Sequence, residues 1–388
     1  MKRAMQKTII QEHLKSYVSA TVVQKTQILD HVCYVTDMQR KAAIRAFARE
    51  ARRSSWKAPP KLGRPRLYTA ETEAALAWVW EQYEYPSAER LHNELAEAVR
   101  IFTRDGMWRY SEPSTRQLLG MSLGSMKIRT TALAKKKGLL RGTGTTQSGP
   151  LLKSVPVFFG SWKDKGCGHG QVDTVVHSGE KLMGTMAYTV NYIDIATYWQ
   201  EPVVQLDKTA VATVASLQTI AQRLPWKLKG LHPDSGSEFI NESGINWCRR
   251  NRIELTRSRP NKKNDNCYVE QRNLVIVRKY IGYERYDCEE AVEVMNELYG
   301  VLRLYLNFFQ PTFKLIDKVK QPSGKYKRLY DTPITPYRRA LERADIDEAT
   351  KEQLTAQYET LNPKTLRDRI QALTSKLERI QRAQGYHF

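Results

Sequence analysis

The spacing of apolar positions changes character once along the 388-residue chain, near residue 151. Before that point apolar residues recur at helical intervals. After it, Val, Ile, Thr and Tyr cluster in alternating or continuous runs, the pattern of half-buried and buried strands. In the first part, Ile9, Ile10, Leu14 and Tyr17 predict a helix over 5–20. Ile28, Leu29 and Val32 predict a second over 25–33, followed by a break at 34–36. A third over 37–49 carries Ile44, Phe47 and Ala48, with Thr36 or Asp37 as its cap. A second helical stretch opens at Tyr68, with Thr69 ahead of Glu71 and Glu73 and with Ala75, Leu76, Val79 and Trp80 on its apolar face. Leu91, Leu95 and Val99 continue it over 88–101. A short helix pair follows at 114–119 and 125–137, with Leu118, Leu119, Ile128 and Leu133 facing inward.

Past the change, strands are expected at 170–177, 183–194, 195–204, 228–232 and 253–256. Helices are expected at 208–224 (Val211, Val214, Leu217, Ile220), 240–250, 265–279 and 288–309. Three strands followed by alternating helices and strands describe a mixed α/β domain. The basic stretch 310–335 reads as a small hairpin or an extended arm. Leu366, Ile370, Leu373, Leu377 and Ile380 then mark a C-terminal helical seam that packs on the chain itself or on a partner.

This organisation predicts a helix-turn-helix or plain helical-hairpin domain at 1–51, a basic linker at 52–67, a second helical domain at 68–140 and a linker at 141–165. An α/β core at 166–310, a basic small domain or arm at 311–340 and C-terminal helices at 341–388 complete it.

Charge narrows the partners. Lys and Arg number 62 against 41 acids, a net charge of +21, which points to a polyanion: nucleic acid first, an anionic membrane surface second. No apolar run is long enough to span a bilayer, and residues 11–20 are too polar for a signal peptide. The five cysteines are scattered without a CxxC pair, so free thiols in a reducing compartment are expected, and the seven histidines suggest no zinc module.

The basic residues fall in places suited to phosphates. Arg40, Lys41 and Arg45 line one face of the third helix, which reads either as a recognition helix or as the solvated face of a simple hairpin. Gly63-Arg64-Pro65-Arg66 is a flat basic segment that fits an A·T minor groove or serves only as a tether. Lys127 and Arg129 occupy the comparable place in the second helix pair.

Three acids stand in positions that invite chemistry. Asp173 lies inside the first apolar strand, where a carboxylate is costly unless paired or metal-bound. Asp234 follows the fourth strand, ahead of Ser235-Gly236-Ser237. Glu270 sits on a helix, with 35 residues between it and Asp234. If strands one and four are neighbours and the helix crosses their ends, the three converge into an oxygen-rich site for Mg²⁺ or Mn²⁺. His177 reads as a core histidine or as one that orients a carboxylate or touches DNA, Asp194 as a turn acid, and Glu238 as an acid near the pocket.

The stretches VDTVVH, HPDSGSEFIN, RSRPNKKNDNCYVEQRN and LYGVLRLYLNFFQPTFKL, with ILDHVCYVTDMQRKAAIRAF and GRPRLY upstream, resemble the integrase-core transposases of bacterial insertion sequences, relatives of the retroviral integrases. The resemblance implies an RNase H-like core with an Asp-Asp-35-Glu triad, which falls on Asp173, Asp234 and Glu270. It implies a Mg²⁺- or Mn²⁺-dependent polynucleotidyl transferase, with two ions, that binds element ends, cleaves 3′ ends and joins them to target DNA. The partners implied are double-stranded DNA and further copies of the chain, as a dimer or larger multimer, in the bacterial cytoplasm at the nucleoid and not on a membrane. Lys262, Lys263 and Asn264 would touch DNA near the scissile phosphate, with Arg257 and Arg259 on the approach, and Gly236 would permit the turn after the second acid. Pro233 and Ser235 depart from the residues common in that family, and the zinc-binding pattern of retroviral integrase N-termini is absent. Two other readings keep the core: an RNase H-like or junction endonuclease, which has less need of the two N-terminal modules, and a catalytically silent DNA-binding regulator, against which the three intact acids argue.

Overall fold

Thr21 begins the second helix of the chain with a capping box: its hydroxyl accepts from Gln24 N, and the Gln24 side chain accepts from Thr21 N. The computed structural model describes residues 3–54, 67–137, 156, 162, 165–179, 184–234, 236–259, 266–321 and 326–384. It divides into two units, Met1–Leu139 and Leu140–Phe388.

The described part of the first unit is helical: α1 (Arg3–Ser19), α2 (Val22–Thr36), α3 (Arg40–Ser54), α4 (Ala70–Gln82), α5 (Ala88–Arg104), α6 (Glu112–Leu119) and α7 (Leu123–Lys137). The break expected at 34–36 is not there. Val35 and Thr36 are buried, the Thr36 hydroxyl bonds back to Val32 O, and α2 runs on to Thr36. The chain turns at Asp37 instead, with φ 56, a left-handed conformation that Asp tolerates, so neither residue caps α3. Ile10, Leu29, Val32, Ala43, Ala46 and Phe47 form one core, with Tyr17 stacked on Phe47 at 4.1 Å.

Several residues expected inside face out. On α3 the buried positions are Ala43, Ala46, Phe47 and Glu50, which leaves Ile44 exposed. On α7 they are Met126 and Thr130, so Ile128, half a turn away, is 72% exposed, and Leu119 at the end of α6 is exposed as well. The two helical stretches make one unit. Glu12 on α1 accepts from Ala70 N at 2.8 Å, and Arg109 pairs with Asp37 at 2.8 Å.

The second unit is built on a five-stranded mixed sheet of order β3-β2-β1-β4-β5. β1 (His169–His177), β2 (Ala187–Asp194) and β3 (Gln200–Gln205) are antiparallel. β4 (Gly230–Pro233) and β5 (Glu254–Leu255) add parallel strands beside β1. The third strand starts later than expected because Asp194 organises the turn before it. Its buried carboxylate accepts from Thr197 N, the Thr197 hydroxyl and Gly168 N. α8 (Ala210–Arg223) and α9 (Glu242–Arg250) connect the parallel strands. Thr213, Leu217 and Ile220 face inward on α8, and Val211 is exposed.

β3 is an edge strand, and a helix closes it. α10 (Cys267–Arg272), a π-helical stretch (Asn273–Arg278) and α11 (Lys279–Ile281) lead to the long α12 (Glu289–Phe309). On α12, Asn296 bonds both Val204 N and Val204 O, and Asn307 bonds both Gln200 N and Gln200 O, each at 2.9 Å. Two amide side chains thus take the place of a sixth strand. A hairpin of β6 (Leu315–Lys320) and β7 (Tyr326–Tyr330) follows, then α13 (Pro336–Leu341), α14 (Glu348–Thr360) and α15 (Pro363–Ala383). α15 buries Leu366, Ile370, Leu373, Leu377 and Ile380 and packs along α12, so the C-terminal seam serves the chain's own body.

Candidate active site

Strand register places the first two acids. β1 and β4 run parallel, and their last pair is Val172 with Pro233. Asp173 and Asp234 each come next in the chain, so Asp173, midway along β1, is neighboured by Asp234, which follows the last residue of β4. Asp173 is also opposite Asn191 on β2.

The third acid is placed by its helix. The Gln171 side chain, buried in β1, accepts from Tyr268 N at 3.0 Å and Val269 N at 3.3 Å. It satisfies amides that the first turn of α10 leaves without intrahelical partners. Val269 drops into an apolar cluster with Ile193 and Tyr198. The next residue, Glu270, is exposed. Three residues on, at the start of the π-helical stretch, Asn273 Nδ2 donates to Asp173 Oδ2 at 2.6 Å, and Asn191 Nδ2 donates to Asn273 Oδ1 at 2.9 Å. The helix bearing Glu270 is therefore strapped to the strand bearing Asp173 at two points.

The electrostatics fit a cluster of acids. The Asp173 carboxyl is pushed up to about 8, first by burial, then by the charge of Asp234 and also by that of Glu270, against hydrogen bonds from Thr174 N and Asn273. Burial also raises Asp234, whose Oδ1 accepts from Gly236 N at 2.8 Å. Glu238 adds a further buried acid, paired with Lys208 at 2.9 Å. Gly236 is needed here for closeness. A Cβ on it would stand 2.6 Å from a Glu238 oxygen and 2.9 Å from an Asp234 oxygen. Gly236 lies in the turn after Asp234, with its carbonyl accepting from Phe239 N and Ile240 N, and it serves that turn through this close approach rather than through a left-handed φ. Asp173, Asp234 and Glu270 do not form a set as tight as 4.8 Å between ligand atoms among the described residues. Their mutual repulsion and hard oxygen donors nonetheless suit a divalent cation of the Mg²⁺ type.

The histidines beside the site are structural. His177 is fully buried, with Nε2 2.7 Å from the Thr189 hydroxyl, and burial holds it neutral, pushed down to about 3. His232 bonds Thr256 and Ser258.

The basic residues divide. Arg40, Lys41 and Arg45 are exposed on α3, with Arg40 paired to Asp30. Lys127 is exposed and pairs with Glu89 at 2.8 Å. Arg129 lies over the Tyr68 ring and beside Glu73, so its guanidinium is committed to packing. Arg257, expected on a phosphate-facing approach, is only 8% exposed and turns onto Ser258 O, whereas Arg259 is exposed. Arg64, Arg66, Ser235, Lys262, Lys263 and Asn264 lie outside the described residues. Sequence reasoning missed Gln171 and Asn191 as working residues. The available signal was an amide side chain inside an apolar strand, one two positions before the aspartate and one on the next strand.

No family model matches the chain. It is 34% identical over 338 residues to the uncharacterized protein y4rM of Sinorhizobium fredii, an alignment covering 85% of this chain and 93% of that protein. Among solved structures it is similar to the HTLV-2 integrase catalytic core domain in complex with magnesium, at 15% identity, 41% coverage of this chain, 93% of that chain and TM-score 0.28. It is also similar to the catalytic core domain of BIV integrase, at 19% identity, 44% coverage of this chain, 93% of that chain and TM-score 0.28.

Proposed function

The chain belongs to one family with the uncharacterized protein y4rM of Sinorhizobium fredii, and we propose that it is a DNA transposase that cleaves the 3′ ends of its element and joins them to target DNA. The observation that carries this reading is the register of two adjacent parallel strands, which sets Asp173, midway along β1, beside Asp234 just past the end of β4, with the Glu270 helix strapped beside them by Gln171 and Asn273.

In this reading Asp173, Asp234 and Glu270 hold Mg²⁺ or Mn²⁺. Two such ions, when bound, lower the pKa of an attacking water or 3′-hydroxyl and stabilise the leaving oxygen. Asn273 fixes one Asp173 oxygen by its 2.6 Å bond, and Thr174 N engages the other at 2.8 Å, so the carboxylate is held before any ligand arrives. Glu270, exposed at the first turn of its helix, completes the set from the solvent side, where a DNA strand approaches. The net charge of +21 supplies long-range attraction for DNA. Exposed Arg40, Lys41, Arg45 and Lys127 in the first unit, with Arg64 and Arg66 in the linker, serve end binding. Arg259, Lys262, Lys263 and Asn264 serve the scissile phosphate. In this reading more than one copy of the chain acts together on the two element ends and the target.

The test uses the purified full chain, Mg²⁺ and duplexes carrying the sequences that flank its gene. Transposition predicts nicking at the element's 3′ ends followed by covalent joining to a second duplex. Nicking without joining would favour an endonuclease, and binding without cleavage a silent regulator.

A further inference from the structure

We propose that His13, His31 and Glu71 form a transition-metal site of the Zn²⁺ class that ties the first helices of the N-terminal unit to α4. The three come from three helices: α1, α2 and α4. One ligand atom from each lies within 4.8 Å of the other two, and among the described residues this is the His, Cys, Asp and Glu group that meets such spacing. The two imidazoles meet edge to face, with centroids 5.6 Å apart, and His31 Nε2 is 3.4 Å from Glu71 Oε1.

The spacing is close to what a small cation needs. Tetrahedral ligands about 2.0–2.2 Å from zinc stand roughly 3.3–3.6 Å from one another. The His31–Glu71 distance already meets that, and a modest side-chain rotation would bring His13 in. Two imidazole nitrogens and one carboxylate select zinc and its neighbours over Mg²⁺, which prefers oxygen alone. The site is chemically distinct from the all-oxygen group of Asp173, Asp234 and Glu270.

The surroundings look prepared for a ligand set. Glu71 is held in place by Ser111, the residue that begins α6. Glu71 Oε1 accepts from Ser111 N at 2.7 Å, and Oε2 accepts from the Ser111 hydroxyl at 2.9 Å. Partners of this kind orient a metal-binding carboxylate. Among the described residues, His13 makes no hydrogen bond of its own, so the ring has a nitrogen to offer. The Glu71 side chain is 5% exposed and that of His31 30%, so the group is largely enclosed yet open on one side. A solvent molecule can complete a fourth position there. Glu71 bonded to Ser111 alone would explain the carboxylate as a helix cap. It would not explain two imidazoles converging on it from separate helices.

The experiment uses the full chain carrying Asp173→Asn, Asp234→Asn and Glu270→Gln, which removes the other cation site. The protein is stripped with chelator, dialysed against Zn²⁺ with excess Mg²⁺, and its bound metal measured by atomic emission. Expected is about one zinc per chain, a higher unfolding midpoint with zinc than without, and loss of both in His13→Gln and in His31→Gln. Circular dichroism of the metal-free variants checks that they fold. Co²⁺ added to the parent protein should give the intense visible band of a four-coordinate ion, a reading that stands even if a variant fails to fold. Zinc retained equally in both histidine variants would overturn the site. So would no zinc on the parent, or a Co²⁺ spectrum no different from the free aqueous ion.

Discussion

Asn273 Nδ2 lies 2.6 Å from Asp173 Oδ2, a hydrogen bond between a π-helical stretch and the central strand. Asn191, buried on the neighbouring strand, donates in turn to Asn273. The pair fixes where the Asp173 carboxylate points and where the helix of Glu270 sits. Asn273→Ala is therefore expected to lower the strand-transfer rate about 10–100-fold while the chain stays folded. Asn191→Ala should act in the same direction with a smaller effect, since Asn273 keeps its bond to Asp173. Single-turnover joining assays check both, and an unchanged rate in Asn273→Ala would remove the positioning role.

The raised Asp173 carboxyl has a pH consequence. Its ordinary value is 3.8 and its folded value about 8, raised by burial and by the neighbouring acids. Between those values the folded protein holds the extra proton, so stability falls as pH rises through this window. Without metal, Asp173→Asn should be more stable than the parent at pH 8, by on the order of 1–3 kcal/mol, and equal to it near pH 4. Mg²⁺ should stabilise the parent and not the variant. Urea unfolding at the two pH values reads this directly, and parallel curves for the two proteins would argue against a buried, raised acid.

Gln171 holds the start of α10 through Tyr268 N and Val269 N. Gln171→Ala leaves those amides without a partner inside the fold, at a cost of about 1–3 kcal/mol. Hydrogen exchange at 268–273 should quicken more than elsewhere in the sheet, and joining should slow. Uniform exchange across the unit would mean the helix is held by other contacts.

DNA binding should separate by unit. The chain divides at Leu139 and Leu140, and the exposed Arg40, Lys41 and Arg45 lie in the first unit. Replacing the three with Ala is expected to weaken binding to element ends and flatten its salt dependence, because phosphate contacts release counterions. Gel-shift titrations over a salt series measure the slope, and an unaltered slope would take these residues off the DNA.

Much of this was legible in the sequence, for physical reasons that are easy to name. Strand alternation located β1 and β2 to within a few residues. An aspartate in an apolar strand, another at a strand end and a glutamate on a helix were visible as a set. Asp194 was recognisable as a turn acid and His177 as a core residue, and both are buried and hydrogen-bonded. Other features depend on register between distant segments. Asn296 and Asn307 serve the backbone of β3 from a helix some 100 residues on, and no local period announces this. The same holds for His13, His31 and Glu71, scattered single residues until three helices bring them together. Inward faces on α3 and α7 were misplaced because small residues, Ala43, Ala46 and Thr130, occupy the core positions that bulkier neighbours were expected to fill. Arg257 looked like part of a basic approach and is buried instead.

The central claim is that Asp173, Asp234 and Glu270 work as one metal-binding set. The most direct measurement is strand transfer by the full chain with Mg²⁺, comparing the parent with Asp173→Asn, Asp234→Asn and Glu270→Gln on the same pre-bound element ends. Each substitution should abolish joining while end binding stays within a few-fold of the parent. Joining at the parent's rate in any one of the three would contradict the shared site.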